Sequence, residues 1–390
     1  MMSKLEKKTI LLNTIFNFGA SLMSSFISVY LYIYTNSIPI MSLYIIVRIG
    51  LFPIFFMLGS RMVKKHSFTI TYAIGLFLIT AALAYVLFSG PLFERNAYYV
   101  LIAAAIIGSG EGFFYFSSNT CNQIVSTIET RANFLSYNGV FNNLGSLFSP
   151  IFASFLLAIS PSETEAYRRM LMVIIAIFII VIFIALTINA HSTDKGSSVI
   201  ESLKISNDRQ WNDHNLAVFL YGLRDGLGLN TINLLVYRAA GSGGIYSRLQ
   251  TLFLFVSMLA YYATKYMMNR KMINRTFKLG VVLKMAGTFF LIYMPTTLGA
   301  CIYGILNAFA AAFYDNTYSY ISSSIIGRHE GEMTARVVAK ETYLSLGRCV
   351  SMATVLLAYC FLPEDIYLNV SVTLLAFAPI LVERILIRYK

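Results

Sequence analysis

Residues 97–119 read AYYVLIAAAIIGSGEGFFYFSSN, an apolar run that contains a single charged residue, Glu111. An α-helix needs about 20 mostly apolar residues to cross the hydrocarbon core of a bilayer. A charged side chain in that core costs at least about 2.5–3.5 kcal/mol, so its default interpretation is functional. This stretch therefore predicts a membrane-spanning helix that contains a carboxylate with a partner.

Eleven further runs along the 390-residue chain pass the same test of length and apolarity. Of all residues, 57% are hydrophobic and 12% are charged, whereas soluble domains have about 25% charged residues. Only helices and closed barrels satisfy the backbone in lipid, and these runs are too long and too evenly apolar for barrel strands. The sequence predicts an all-α membrane protein with twelve transmembrane helices. The other runs are approximately 10–34, 39–60, 68–90, 134–158, 168–190, 214–237, 246–267, 277–295, 297–321, 337–361 and 366–387.

The distribution of Lys and Arg predicts the topology. With the N-terminus inside, 21 of the 30 basic residues fall in inner segments and four in outer segments, which agrees with the excess of Lys and Arg in cytoplasmic loops. We therefore expect a multi-pass protein of the bacterial cytoplasmic membrane with both termini in the cytoplasm. The net charge of +12 reflects this topology, so no nucleic-acid partner is expected.

The longest polar stretch, 191–213, divides the chain into six runs before it and six after it. We predict an N-terminal six-helix bundle at 1–190, a cytoplasmic linker at 191–213 and a C-terminal six-helix bundle at 214–390. Short sequence matches relate the two halves. The start of the first span matches the start of the seventh span at an offset of 207 residues, and Phe114-Tyr115 matches Phe313-Tyr314 at an offset of 199 residues. Such repeats are typical of transporters, in which the substrate site lies between the repeats.

The 6+6 plan with a middle cytoplasmic loop resembles the major facilitator superfamily over the whole chain. The superfamily's loop after the second span, Gly-x-x-x-Asp-Arg/Lys-x-Gly-x-Arg/Lys, is represented by GSRMVKKHS at 59–67, which lacks the acidic residue and the second glycine. Gly139, Gly145 and Ser149-Pro150 in the fifth span resemble a degenerate form of a motif found in exporters. The resemblance implies two pseudo-symmetric six-helix bundles and favours export.

Charged residues within the spans are the candidates for proton coupling, namely Glu111, Asp225 and Asp315. Arg224 and Asp225 are adjacent, so they point about 100° apart on a helix and each should meet a partner elsewhere. We expect Arg224 to pair with one carboxylate or to bind an anionic group. The resemblance implies that the ninth span is peripheral, so Lys284 in this span is interpreted as a snorkelling or structural lysine.

Gating roles are predicted for residues near the cytoplasmic ends of the bundles and for a pair in the eleventh span, where Glu341 lies seven residues before Arg348. The gating candidates are Gly59, Arg61, Lys64, Arg131, Arg336, Glu341 and Arg348. The resemblance implies that spans one, four, seven and ten line the cavity, and their polar and aromatic residues suit an amphiphilic or aromatic solute. The substrate-binding candidates are Arg48, Arg224, Asn17, Tyr115, Asn119, Tyr221, Asn230, Asn233, Asn307, Tyr314 and Asn316.

The sequence thus favours a proton-coupled secondary transporter, working by alternating access, whose partners are the lipid bilayer, a small-molecule substrate and protons. Nutrient uptake remains an alternative, as does flipping of a lipid-linked molecule whose head group meets Arg48, Arg224, Arg248 and Arg348. A receptor or scaffold that kept the fold is the alternative of another class. No Walker A, zinc or dinucleotide motif occurs in the sequence, so we expect no enzyme activity, no cofactor and no metal. We expect a monomer.

Overall fold

The computed structural model describes residues 3–63, 68–125, 131–188, 208–229, 231–267, 272–327, 333–363 and 366–389. The regular structure in these ranges is entirely helical. The chain divides into two compact units, Met1–Lys195 and Gly196–Lys390.

The N-terminal unit has its helices at the positions predicted for the first six spans. Ser3 begins the first helix with a capping box, because its hydroxyl accepts from the Glu6 amide while the Glu6 carboxylate accepts from the Ser3 amide. A short helix and the 3-10 turn Ala97–Tyr99 connect the third and fourth spans. The helices are α1 Lys4–Thr35, α2 Ile38–Val63, α3 Phe68–Phe88, α4 Gly90–Arg95, α5 Val100–Val125, α6 Arg131–Ile159 and α7 Glu163–Ala185.

The C-terminal unit has helices at the positions predicted for the last six spans, three of which are composite. The seventh span comprises α8 and α9, the tenth comprises α12, a π-helical turn at Ala311–Asp315 and α13, and the twelfth comprises α15 and α16. The helices are α8 Arg209–Leu229, α9 Thr231–Ala240, α10 Gly243–Met267, α11 Ile273–Tyr293, α12 Thr297–Ala310, α13 Asn316–Gly327, α14 Met333–Phe361, α15 Tyr367–Leu375 and α16 Ala378–Leu386.

The seventh span begins at Arg209 rather than at the predicted residue 214. The Asp208 carboxylate accepts from the backbone amides of Gln210 at 2.9 Å and Trp211 at 3.3 Å, which caps the helix. The last residues of the predicted linker, 209–213, are therefore helical. Its residues 191–207 lie outside the described ranges.

The surface of the helices indicates a multi-pass membrane protein. Within the described residues, ten helices are long and apolar enough to span a bilayer. Large apolar side chains face outward, including Phe77 at 65%, Phe183 at 66% and Leu357 at 59% exposure. Exposure of so much apolar surface to water would be unfavourable, whereas lipid provides an apolar solvent for it.

Small residues bring the helices of the N-terminal unit into close contact around the Gly-Ser-Gly-Glu-Gly sequence at 108–112. A Cβ atom added to Gly108 would lie 2.1 Å from the Arg48 carbonyl oxygen in α2. One added to Gly110 would lie 2.7 Å from the Gly75 carbonyl oxygen in α3. These glycines therefore permit close approach of α2 and α3 to α5.

Equivalent contacts recur in the two units. A Cβ atom on Gly75 of α3 would lie 2.6 Å from the Phe114 amide nitrogen, and one on Gly280 of α11 would lie 2.5 Å from the Tyr314 amide nitrogen. The rings that pack on these two aromatic residues also correspond: Phe16 and Tyr72 contact Phe114, and Tyr221 and Phe277 contact Tyr314.

These contacts correct the predicted alignment of the repeats. Phe16 corresponds to Tyr221, an offset of 205 residues rather than 207, and Phe114 corresponds to Tyr314, an offset of 200 rather than 199. Sequence matches of two or three residues could not distinguish these registers, whereas the packing contacts can. Asp315 therefore occupies the position that Tyr115 has in the first unit.

Candidate functional site

The first buried ion pair lies in the N-terminal unit between α2 and α5. Arg48 donates from Nε to Glu111 Oε2 at 2.9 Å and from Nη2 to Glu111 Oε1 at 2.5 Å. The side chains are 12% and 7% exposed. This two-point arrangement is the strong form of an arginine–carboxylate pair, so the prediction of a partner for Glu111 is confirmed.

The second buried ion pair links α8 and α14 in the C-terminal unit. Arg348 Nε donates to Asp225 Oδ2 at 2.7 Å, and the two side chains are 20% and 30% exposed. The sequence instead suggested Glu341 as the partner of Arg348, and this was wrong. Glu341 lies 3.6 Å from Lys340 Nζ, because Asp225 on the facing helix approaches Arg348 more closely than a residue two turns away on the same helix.

The third pair joins α11 to the π-helical turn, and the sequence did not predict it. Lys284 Nζ lies 2.6 Å from Asp315 Oδ1, and Tyr221 donates its hydroxyl to the same oxygen at 3.1 Å. The Lys284 ammonium also lies 4.9 Å from the centroid of the Tyr314 ring, within the range of a cation–π contact. These four residues form what we term the lysine–aspartate cluster.

Lys284 is therefore not a snorkelling residue. It lies near the middle of the 21-residue helix α11, about 15 Å from either end at 1.5 Å per residue. Its side chain is only 11% exposed. The central position of Lys284 in the ninth span is visible in the sequence and indicates an internal partner. This signal is stronger evidence than the peripheral location that the resemblance implies for the ninth span.

Asp315 is the last residue of the π-helical turn Ala311–Asp315. Such turns are rare and occur often at functional sites. In this one, Phe313 and Tyr314 are buried while the Asp315 side chain remains 23% exposed. The turn thus presents a partly accessible carboxylate within a membrane-spanning helix.

Arg224 has no carboxylate partner among the described residues of its unit. Its Nη2 donates to the Thr288 hydroxyl at 3.1 Å, while its Nε has no hydrogen-bond partner. The residue is only 4% exposed. The predicted pairing with a carboxylate is not observed, because Asp225 and Asp315 are engaged by Arg348 and Lys284. The prediction that Arg224 and Asp225 have separate partners is confirmed.

The lysine–aspartate cluster has no charged counterpart in the N-terminal unit. At the offsets given above, Lys284 corresponds to Ile79 and Asp315 to Tyr115. Ile79 is buried and the Tyr115 ring packs near Phe16 at 6.0 Å. Because the N-terminal unit forms the same helix contacts without this ion pair, the pair is not required by the fold.

A cavity of about 210 Å³ lies inside the C-terminal unit, between α9, α10 and α12. Two predicted substrate-binding residues, Asn233 and Asn307, line it. The described lining residues have amide, hydroxyl and aromatic side chains but no charge. They are Asn233, Val236, Gln250, Phe253, Leu254, Ser257, Tyr303, Gly304, Asn307, Ala308 and Ala311.

The α10 wall of this cavity was missed in the sequence although a signal was present. Gln250, Phe253, Leu254 and Ser257 follow the spacing of one helix face. The resemblance directed attention to the seventh and tenth spans and away from the eighth. The structure adds Gln250, Ser257 and Tyr303 as polar candidates.

Other predicted substrate-binding residues have different surroundings. Asn17 donates to the Asn13 carbonyl oxygen of its own helix at 2.8 Å. Asn119 is a partly buried residue of α5, and Asn316 is the first residue of α13. Tyr221 and Tyr314 belong to the lysine–aspartate cluster. Asn230 lies outside the described residues.

The predicted gating residues that the structure describes have different surroundings within their own units. Gly59 packs on the Phe116 ring, from which an added Cβ atom would lie 3.1 Å away. Arg61 is exposed near the end of α2, whereas the Arg336 guanidinium lies 4.4 Å from the Trp211 ring centroid. Lys64 lies outside the described residues, and of Arg131 the structure describes only the backbone, at the start of α6.

Comparison with known proteins identifies the fold. No family model matches the chain. It is 22% identical over 366 residues to the uncharacterized protein YqgE of Bacillus subtilis (strain 168), covering 93% of this chain and 84% of the relative. A Geobacillus stearothermophilus protein from the sodM 3′ region is 25% identical over 140 residues, 36% of this chain and 64% of that protein.

Similar solved structures are transporters. The nucleoside transporter NupG superposes with a TM-score of 0.72 at 13% identity, covering all of both chains. An autoinhibited POT family peptide transporter gives 0.74 at 11% identity, covering 100% of this chain and 97% of that chain. The fucose:proton symporter FucP of E. coli gives 0.60 at 15% identity, covering 99% and 98%. The chain thus has the fold of major facilitator superfamily transporters, as the resemblance implied.

Proposed function

We propose that the protein is a secondary transporter of the bacterial cytoplasmic membrane that couples the export of a small organic solute to the entry of protons. It functions as a monomer with both termini in the cytoplasm. The observation that carries this proposal is the lysine–aspartate cluster, an ion pair inside the C-terminal unit that the fold does not require. Proton coupling also occurs in the fucose:proton symporter that shares the fold.

The cluster suits a proton carrier because protonation of Asp315 would remove its attraction to Lys284. The Lys284 ammonium would then be a buried, uncompensated cation, which is unfavourable. This cost would favour a separation of α11, which carries Lys284, from the segment α12 to α13, which carries Asp315. A proton could in this way change the conformation of the unit.

Glu111 and Asp225 receive less support as proton carriers. Both face an arginine, which keeps its charge throughout the accessible pH range, and Glu111 is bound at two points and is only 7% exposed. Asp315 instead faces a lysine through one oxygen, and its side chain is 23% exposed, more than Glu111 at 7% but less than Asp225 at 30%. Asp315 is therefore the preferred carrier of the three candidates.

Flipping of a lipid head group receives less support than transport of a small solute. Two of the arginines proposed for a head-group pocket, Arg48 and Arg348, are neutralised by carboxylates. Arg248 is exposed near the start of α10. Of the four arginines, Arg224 is left as the buried one that has no carboxylate partner among the described residues of its unit.

The proposal is tested with inside-out membrane vesicles in which an acidic interior is established and monitored with a fluorescent dye. Addition of an exported compound from a panel of aromatic and amphiphilic solutes should dissipate the gradient in vesicles that contain the protein. Asp315→Asn should abolish this response, whereas Glu165→Gln, a change at the exposed start of α7, should leave it intact. A normal response from Asp315→Asn, or no response to any compound, would contradict the proposal.

A further inference from the structure

Arg224 holds a positive charge inside the C-terminal unit that the described residues of this unit do not neutralise. The two neighbouring ion pairs, Lys284–Asp315 and Arg348–Asp225, each combine one cation and one anion. The hydrogen-bond partners of Arg224 among the described residues of its unit, Thr288 and Tyr303, are neutral, and its Nε remains unbonded. A buried charge without a partner is costly, so this arrangement is best explained by an anion that binds there.

Tyr303 connects Arg224 with the cavity between α9, α10 and α12. The Tyr303 side chain interacts with the Arg224 guanidinium, and it also lines the cavity. A hydroxyl that accepts from a cation becomes a stronger donor through its own proton. The Tyr303 hydroxyl can therefore extend the effect of the Arg224 charge to a molecule in the cavity.

The cavity wall offers hydrogen-bond donors and no competing negative charge among its described residues. Asn233, Gln250 and Asn307 each carry an amide NH₂ group, and Phe253 supplies an aromatic surface. Donors next to a buried cation suit a ligand with an oxyanion at one end. Apolar side chains between the donors suit an aromatic or aliphatic body at the other end.

We propose that this cavity binds an organic anion, with its carboxylate or phosphate group held by Tyr303 and the surrounding amides and attracted by the charge of Arg224 behind Tyr303. This proposal rests on the function proposed above and specifies its substrate class.

Binding is measured with the purified full-length protein in detergent, using 2-naphthoate, phenyl phosphate and the uncharged 2-naphthamide as probes. We expect an anion to raise Tm and to bind at least about tenfold more tightly than the amide, as a charge-assisted hydrogen bond would provide. Naphthoate and phenyl phosphate separate carboxylate from phosphate recognition. Equal binding of the anions and the amide, or no anion binding at millimolar concentration, would overturn the proposal.

Variants identify the site and exclude a structural role. Arg224→Gln and Tyr303→Phe should each weaken anion binding by about tenfold or more, whereas Arg238→Gln, at the exposed end of α9, should not. Arg224→Gln should preserve the Tm of the unliganded protein, because it removes an uncompensated charge. A large loss of Tm would show a structural arginine and would overturn the proposal. A protein that binds naphthoate with these properties but dissipates no proton gradient would retain the anion site and refute the transporter function instead.

Discussion

At the scale of single residues, the protein differs from an ordinary helical bundle by the charges inside its membrane-spanning helices. Each of the three buried ion pairs described above joins two different helical segments and combines one cation with one anion. Removal of one partner from a buried pair leaves the other charge uncompensated. Replacement of both partners should therefore destabilise the protein less than replacement of one partner.

Lys284→Met should lower the free energy of unfolding by up to about 3–5 kcal/mol, because Asp315 loses its cation. Combined with Asp315→Asn, the same change should restore most of this loss. Thermal unfolding in detergent measures both effects. If the double variant were as unstable as the single one, the Lys284–Asp315 contact would not be an ion pair that matters for folding.

Glu111→Gln tests whether the Arg48 pair is structural. We expect a loss of stability of similar size, since Arg48 would remain as a buried cation between α2 and α5. Proton-driven transport by the protein that remains folded should persist. Loss of coupling with unchanged Tm would contradict this assignment and would make Glu111 a proton carrier.

At the scale of helices, glycines determine how closely the charged partners can approach. Gly280 lies one turn before Lys284 on α11, and its missing side chain lets α11 meet the backbone of Tyr314, next to Asp315. In the N-terminal unit, Gly75 makes the corresponding contact with Phe114 but has no ion pair beside it. The same close helix packing therefore stabilises both units, and in the C-terminal unit it also positions Lys284 next to Asp315.

Gly280→Ala should lower stability by about 1–3 kcal/mol through overpacking and should reduce proton-coupled transport, because α11 must move away from Asp315. Gly75→Ala should cause a similar loss of stability and leave coupling intact in the folded fraction. Gly228→Ala is a matched control, since nothing lies within 4 Å of the added Cβ atom. Tm and transport are compared for the three variants. Equal coupling in Gly280→Ala and Gly75→Ala would contradict the positioning role.

At the scale of the whole molecule, the sequence predicted the fold far better than the site. Apolar runs such as 97–119 identify spans because only a helix satisfies its backbone in lipid, and all twelve predicted spans fall on described helices. A close contact between distant residues has no comparable signal. Asp225 and Arg348 are 123 positions apart, and only the packing of α8 on α14 shows that they are partners.

The missed features have the same physical origin. Lys284 was assigned to a peripheral helix, but the ninth span packs on the π-helical turn that carries Asp315. A π turn depends on one additional residue per turn and leaves no clear pattern in the sequence. The registers of the repeats could be corrected only because rings and glycines in both units make equivalent contacts.

Proton coupling through Asp315 is tested most directly by a comparison of two modes of transport in proteoliposomes that contain the Asp315→Asn variant. The first is exchange of labelled for unlabelled solute, which needs no net proton movement, and the second is accumulation driven by a pH gradient. We expect that the variant retains exchange and loses gradient-driven accumulation, while the wild-type protein performs both. Gradient-driven accumulation by the Asp315→Asn variant at the wild-type level would contradict proton coupling through Asp315.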